Sequence, residues 1–130
     1  MPTVYIAGPM RGYPNLNFEA FDAAAQAWEA RGWVAINPAQ MDREVGLTGA
    51  MQTSAPGTKG KDFEEAMNRD LPAVTRSQAI ALLPGWEKSA GATTELDRAR
   101  KLGHDVYDAV TFQLLEGSGA TAVRSFAATA

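Results

Sequence analysis

Three short runs, far apart in the chain, hold the residue types of an anion site and of a pair of working acids. They are VYIAGPMRG (4–12), NRDL (68–71) and SAGATTE (89–95). The last carries the most chemistry. A helix opening at Ser89 and Gly91 offers free backbone amides and a hydroxyl, a ready phosphate site, and the glycine lets a bulky anion come close. Glu95 follows Gly91 by four residues, so it lies on the same helix face one turn further in. A carboxylate about one helical pitch from an anion-binding turn is electrostatically awkward, and such placements are more often functional than structural. The plainer alternative is a capping serine and a surface glutamate.

Asp70 supplies a second carboxylate. Facing Glu95, it would complete a pair flanking a glycosidic bond, in which one acid attacks the anomeric carbon and the other delivers or directs a proton at the leaving group. Its plainer role is a helix-end charge paired with Arg69 or Arg11. Asn68, in the same run, is a candidate substrate contact. In the first run Gly8 lets the backbone pass close to a ligand, Pro9 stiffens the turn, Met10 follows, and Arg11 brings a permanent cation with forked donors. Tyr5 shares a strand face with Ala7 by alternation, so its hydroxyl either reaches the pocket rim or stays in the core. Trp86, just before the third run, is either a stacking surface for a base or a side chain that closes the core.

These runs need elements to hold them. Thr3–Ala7 is a β-branched and aromatic run stopped by Gly8-Pro9, which predicts a buried strand. Asn17 is expected to cap a helix with the stripe Phe18, Phe21, Ala25 and Trp28, ending near Gly32. Residues 33–36 predict a second strand cut off at Asn37-Pro38, and strand, helix, strand implies a parallel pair with a right-handed crossover. Residues 39–60 show no sustained period and are expected to form a long loop, mobile at the pocket mouth. Residues 62–71 predict a helix. Pro72 should kink or restart it by removing the amide that would bond back to the carbonyl of Asn68. Residues 78–83 read as a third strand covered on both faces. A loop over 84–88 leads into a helix ending at Leu102, with Gly103 as its left-handed cap, and 104–107 predict a fourth strand. The alternation gives an α/β doubly wound parallel sheet of four to five strands with helices on both faces and ligands at the carboxyl ends of the strands. Residues 1–116 are read as one domain and 117–130 as a small, polar tail without assigned structure.

Composition narrows the classes. The 130 residues are 45% hydrophobic and 21% charged, ordinary for a globular protein. A formal charge of −3 with scattered Lys and Arg argues against nucleic acid as partner. The absence of cysteine and the single histidine remove thiolate chemistry and argue against a metal site. No run approaches the length needed to span a bilayer, so a cytoplasmic protein with no membrane partner is expected.

Taken together, these residues resemble the nucleoside 2-deoxyribosyltransferase superfamily. The nearest likeness is to a short phage and bacterial branch that begins with YIAGPM and carries LPGWEKS before the helix with the glutamate. The resemblance covers most of residues 1–107 and rests on the order and spacing of the motifs more than on any one. It implies a flavodoxin-like fold in which Glu95, in a G-x-x-x-E helix, is a nucleophile that forms a glycosyl-enzyme intermediate. It implies that Asp70, in an RDL segment, assists at the base, and that Tyr5 is the strand tyrosine of the site. Members acting on deoxynucleoside 5′-monophosphates carry a phosphate-binding serine six residues before the nucleophile and an arginine six residues after the tyrosine. Ser89 and Arg11 stand at those positions. The resemblance also implies a homodimer or higher homo-oligomer whose subunits complete one another's sites, and the stripe of Phe63 and Met67 is a candidate interface. Two departures stand out. Many relatives have Glu-Leu-Gly where this chain has Glu95-Leu96-Asp97, and Pro72 lies next to the proposed acid. The short Ala/Ser/Thr-rich C-terminal part leaves a partner's share of the phosphate site untraced.

The expected function is therefore an N-glycosidase or deoxyribosyltransferase that cleaves the base from a 2′-deoxynucleoside, a 5′-monophosphate being favoured, without a cofactor. The rivals are a non-catalytic nucleotide-binding or sensing protein, an NAD-type glycohydrolase and, more distantly, a flavin-binding module.

Overall fold

A computed structural model describes residues 1–44 and 61–121. Five strands form one sheet: β1 (Thr3–Ala7), β2 (Val34–Ile36), β3 (Ala79–Leu82), β4 (Asp105–Asp108) and β5 (Leu114–Glu116). Their spatial order is β2-β1-β3-β4-β5. The first four run parallel, and β5 returns antiparallel to β4. Among the described residues the sheet is joined by the helices α1 (Phe18–Ala30), α2 (Pro38–Glu44), α3 (Lys61–Arg76) and α4 (Ala90–Lys101). This is the expected α/β doubly wound, flavodoxin-like arrangement.

Strand alternation sorts the core into two layers. Val4 and Ile6 of β1 and Ala79 and Ala81 of β3 face α1, where Phe18, Phe21, Ala24 and Trp28 cover them. Trp28 anchors this layer. Its indole donates to the carbonyl of Ala109 at 2.9 Å, and Trp33 and Tyr107 meet it edge-on at 5.1 and 5.4 Å. On the opposite face, Tyr5, Ala7, Ile80, Leu82 and Val106 pack under Ala73 and Val74 of α3 and Ala92, Leu96 and Ala99 of α4. Tyr5 and Ala7 thus share the face that alternation gave them.

Four local expectations need correction. Asn17 does not cap α1 through its side chain: it has φ 61° and its amide donates instead to the carbonyl of Pro9 at 3.0 Å. Residues 38–44 form a helix where a loop was expected. Asn37 caps it, its Oδ1 accepting from the amide of Ala39 at 3.0 Å, with Pro38 at the first helical position. The remainder of the expected loop, 45–60, lies outside the described residues. Helix α3 runs on through Pro72 to Arg76. Asn68 and Pro72 are both exposed, so Pro72 sits on the outer side of the helix, where water can serve a group that loses its helical partner. Finally, the expected tail begins with a tied-down segment. The buried carboxylate of Asp105 accepts from the amides of Ser118 at 3.1 Å and Thr121 at 3.3 Å, while 122–130 lie outside the described residues. Gly103 ends α4 at φ 74°, as expected of its cap.

Candidate functional site

The carboxyl ends of β1 and β3 are neighbours, because the two strands pair directly and Ala7 lies opposite Leu82. The loops that follow them meet. A Cβ placed on Gly85 would lie 3.2 Å from the ring of Pro9 and 2.5 Å from the hydroxyl oxygen of Tyr13, and Gly85 also holds φ 89°. Gly8 is required for a reason unlike the expected one. A Cβ there would come within 2.7 Å of the Cβ of Leu83, whose amide extends the strand pairing onto Ala7 at 2.8 Å. The glycine is therefore fixed by packing between strands, whatever approaches from outside.

Beneath this junction, on the face covered by α3 and α4, lies a buried acid pair. Tyr5 is fully buried in the middle of β1 and its hydroxyl donates to Oε2 of Glu95 at 2.6 Å. Glu95, in the second turn of α4, is 5% exposed, and Asp70 of α3 is equally buried. Met67, Asp70, Ala73 and Val74 form the inward stripe of α3 at spacings of three and four, which is what turns Asp70 toward α4. Asp70 lies close enough to Glu95 for the two carboxyls to act on one another. Burial, and then the facing charge of Asp70, push the Glu95 carboxyl well above the usual carboxylate range, against the lowering by the Tyr5 hydroxyl. Burial first and Glu95 second raise the Tyr5 phenol, so it stays a donor.

Asp70 also keeps its plainer partner. Arg69 donates through Nε to Oδ1 of Asp70 at 2.7 Å and through Nη1 to Oδ1 of Asp42 at 2.5 Å. Burial works against the Arg69 cation, but the two carboxylates outweigh it and hold the guanidinium charged. The sequence reading missed Asp42, and it considered Arg69 only as an alternative partner of Asp70. The local signal for Asp42 was the Asn37-Pro38 helix start, which places Asp42 on the inward side of α2 beside buried Pro38 and Ala39.

The remaining candidates divide. Ser89 caps α4, its Oγ accepting from the amide of Ala92 at 3.1 Å. The amides of Ala90 and Gly91 have no partner among the described residues, so the helix start keeps two donors. A Cβ on Gly91 would meet the end of Met67 at 3.4 Å, which places this turn against α3. Met67 is itself buried, so it is not open as an interface in the single chain. Trp86, in the turn before α4, is half-buried and packs against the same core layer as Tyr5. Pro9 and Arg11 lie in the loop after β1, buried and half-buried. Met10 joins the core layer on the α1 side of the sheet, away from the acid pair. Asn68 is exposed, about half a helical turn away from the stripe that holds Asp70. Asp97, the departure beside the glutamate, has a side chain 69% exposed and sits 4.0 Å from Arg100.

Among the described residues no group of three or more His, Cys, Asp and Glu is placed to hold a metal, and no helix is long and apolar enough to cross a membrane. A separate cleft of about 590 Å³ lies along the β2 edge, lined by Asp22, Asn37, Met41 and Arg43, and it includes none of Tyr5, Asp70 and Glu95.

Residues 2–108 match a family described as a domain of unknown function, DUF4406. The chain belongs to that family. The match spans β1 to β4, so Tyr5, Asp42, Arg69, Asp70, Ser89 and Glu95 all lie within the DUF4406 domain. No curated protein matches the sequence.

Proposed function

We propose that this DUF4406 protein is an N-glycosidase or deoxyribosyltransferase related to the nucleoside 2-deoxyribosyltransferase superfamily, acting on a 2′-deoxynucleoside and preferentially on its 5′-monophosphate. One observation carries the reading: two buried carboxyls from separate helices face each other, and a tyrosine hydroxyl grips one of them. A structural ion pair needs no second acid, and two facing carboxyls bound to one proton are the equipment of glycosidic cleavage.

In this mechanism the proton of the pair starts on Glu95, whose carboxyl burial raises well above the usual range. Its transfer to Asp70 creates nucleophile and acid in one step. The Glu95 carboxylate then attacks C1′, the C1′–N bond breaks with its electron pair leaving on the base, and the base nitrogen takes the proton from Asp70. Water, or a second base, attacks C1′ in turn, gives its proton to Asp70 and frees Glu95. Tyr5 orients Glu95 throughout. The two free amides at the start of α4, with Ser89 and Arg11, form the site offered to the 5′-phosphate. The same reading expects a cytoplasmic homodimer.

Incubation with each deoxynucleoside and deoxynucleotide, followed by chromatography of free base, tests this. Base should appear from at least one substrate, and Glu95→Ala should reduce its release by a factor on the order of 10³ or more. A Glu95→Ala rate equal to that of the unaltered protein would exclude the mechanism. One observation favours a second reading, a non-catalytic nucleotide binder: Asp70 is already ion-paired to Arg69 and Ser89 is already engaged as a cap. Calorimetry beside the same assay separates them, since the binder gives heat of binding without base.

A further inference from the structure

Behind the carboxyl pair lies a charge that the proposed reaction does not use. Asp42 is 6% exposed, about as buried as the two acids, yet it belongs to α2 and its hydrogen bond runs to Arg69. Among the described residues its partner is the guanidinium of Arg69, which also grips Asp70 through Nε. The fork of Arg69 is thus fixed at two points, by carboxylates from two helices. A planar cation held at both ends imposes a direction on whatever it grips, where a lysine would act as a point charge. Burying a carboxylate for this purpose is costly unless it is paired, and a surface charge on α2 would have kept the helix soluble without that cost.

We infer, building on the glycosidase reading, that Arg69 is a positioning residue for Asp70 and that Asp42 positions Arg69, so that Asp70 is held in one orientation opposite Glu95. The charged and titratable groups facing this pair are Tyr5 from β1, Asp42 from α2, Arg69 and Asp70 from α3, and Glu95 from α4. With Arg69 balanced between two carboxylates, Glu95 is the acid left to hold the proton. When Asp70 later yields its proton to the departing base, the carboxylate that forms is one that Arg69 already stabilises. Without the clamp Asp70 loses the fork that fixes its carboxylate and is free to turn away from Glu95.

The test uses the full chain and two measurements. Titration of side-chain carboxyl carbons by NMR, without substrate, reports which acid holds the proton. Base release over a range of pH reports the reaction. In the unaltered protein the Glu95 carboxyl should titrate well above the ordinary carboxylate range; in Arg69→Lys and Asp42→Ala, where Asp70 and Arg69 are displaced, that Glu95 step should shift. Asp42→Ala should lower kcat on the order of 10- to 100-fold, through misplacement of Asp70, with KM changed less than about twofold. Asp42→Asn keeps an oxygen for Nη1 and should restore most of that loss. Unchanged carboxyl titration together with an unchanged pH–rate profile in folded Asp42→Ala would overturn the inference. Should Asp42→Ala not fold, Arg69→Lys decides, because it retains the cation and removes only the fork, and an unaltered titration there is equally fatal. Absence of base from every substrate with the unaltered protein would defeat the glycosidase reading alone, since the titration still reports on the clamp.

Discussion

Glu95 concentrates the conflict between stability and chemistry in this molecule. Burial and the facing Asp70 raise its carboxyl well above the ordinary value, and that shift has a sign in stability. In the unfolded chain Glu95 loses its proton near the ordinary value of 4.5, whereas the folded chain holds it to higher pH. Between those two points the folded state binds more protons, so stability falls as pH rises through that window. Glu95→Gln imitates the protonated acid: its oxygen accepts from Tyr5 and its amide donates to Asp70. The variant should therefore be more stable than the unaltered protein at pH 8, with the difference shrinking toward the ordinary carboxylate range. Urea unfolding across that range measures it. Identical pH dependence in the two proteins would mean that Glu95 is ionised in the folded state. The same substitution removes the nucleophile, so a gain in stability at the cost of base release is the signature of a residue kept for function.

At the scale of elements, the junction of β1 and β3 is held by contact between backbones and short side chains, and Gly8 at this junction should respond differently from Gly91 at the start of α4. Gly8→Ala drives a methyl to within 2.7 Å of the Cβ of Leu83, an atom that cannot swing aside because the strand pairing fixes it. Thermal or urea melts should show a loss of about 1–3 kcal/mol. Gly91→Ala meets only the flexible end of Met67 at 3.4 Å, so stability should change by less than about 1 kcal/mol while the methyl crowds the free amides and weakens nucleotide binding. Equal losses of stability at both positions would contradict this account of the junction. The strands and the α1 stripe were legible in the sequence because periods of two and of three to four mark any long element with one buried face. Helix α2 was not, since seven residues are too few to show a period, and Asn37-Pro38 was read as the end of a strand when it was also the start of a helix. Pro72 misled for a related reason: its effect depends on whether the freed carbonyl faces water, which sequence does not disclose. Tyr5, Asp70 and Glu95 could be named from residue type and helix spacing. The grip of Asp42 on Arg69 joins α2 to α3, and a contact between distant elements leaves no spacing in either.

For the molecule as a whole, the sheet order decides where the chemistry can sit. The chain passes from β1 outward to β2 and then crosses to β3 on the other side, so the carboxyl ends of β1 and β3 are where the topology expects a ligand crevice. Every element that contributes to the candidate site borders that crevice or covers the sheet beside it: the loop after β1, the start of α4, and the inward faces of α3 and α4. A ligand there would contact segments distant in sequence at once, and it would have no comparable site in the unfolded chain. Binding must therefore stabilise the entire cooperative fold. At a deoxynucleoside 5′-monophosphate concentration one hundred times its Kd, the gain should be about 2.7 kcal/mol. Thermal melts should rise by several degrees for a domain of this size. Glu95→Gln is the better protein for the measurement, because it leaves the amides of Ala90 and Gly91 and the Ser89 hydroxyl in place while removing turnover. The corresponding nucleoside should give a smaller rise, since it lacks the anion that the helix start is equipped to receive. Equal shifts with nucleoside and nucleotide would place the phosphate outside this crevice. No shift with either would separate the acid pair from nucleotide chemistry altogether.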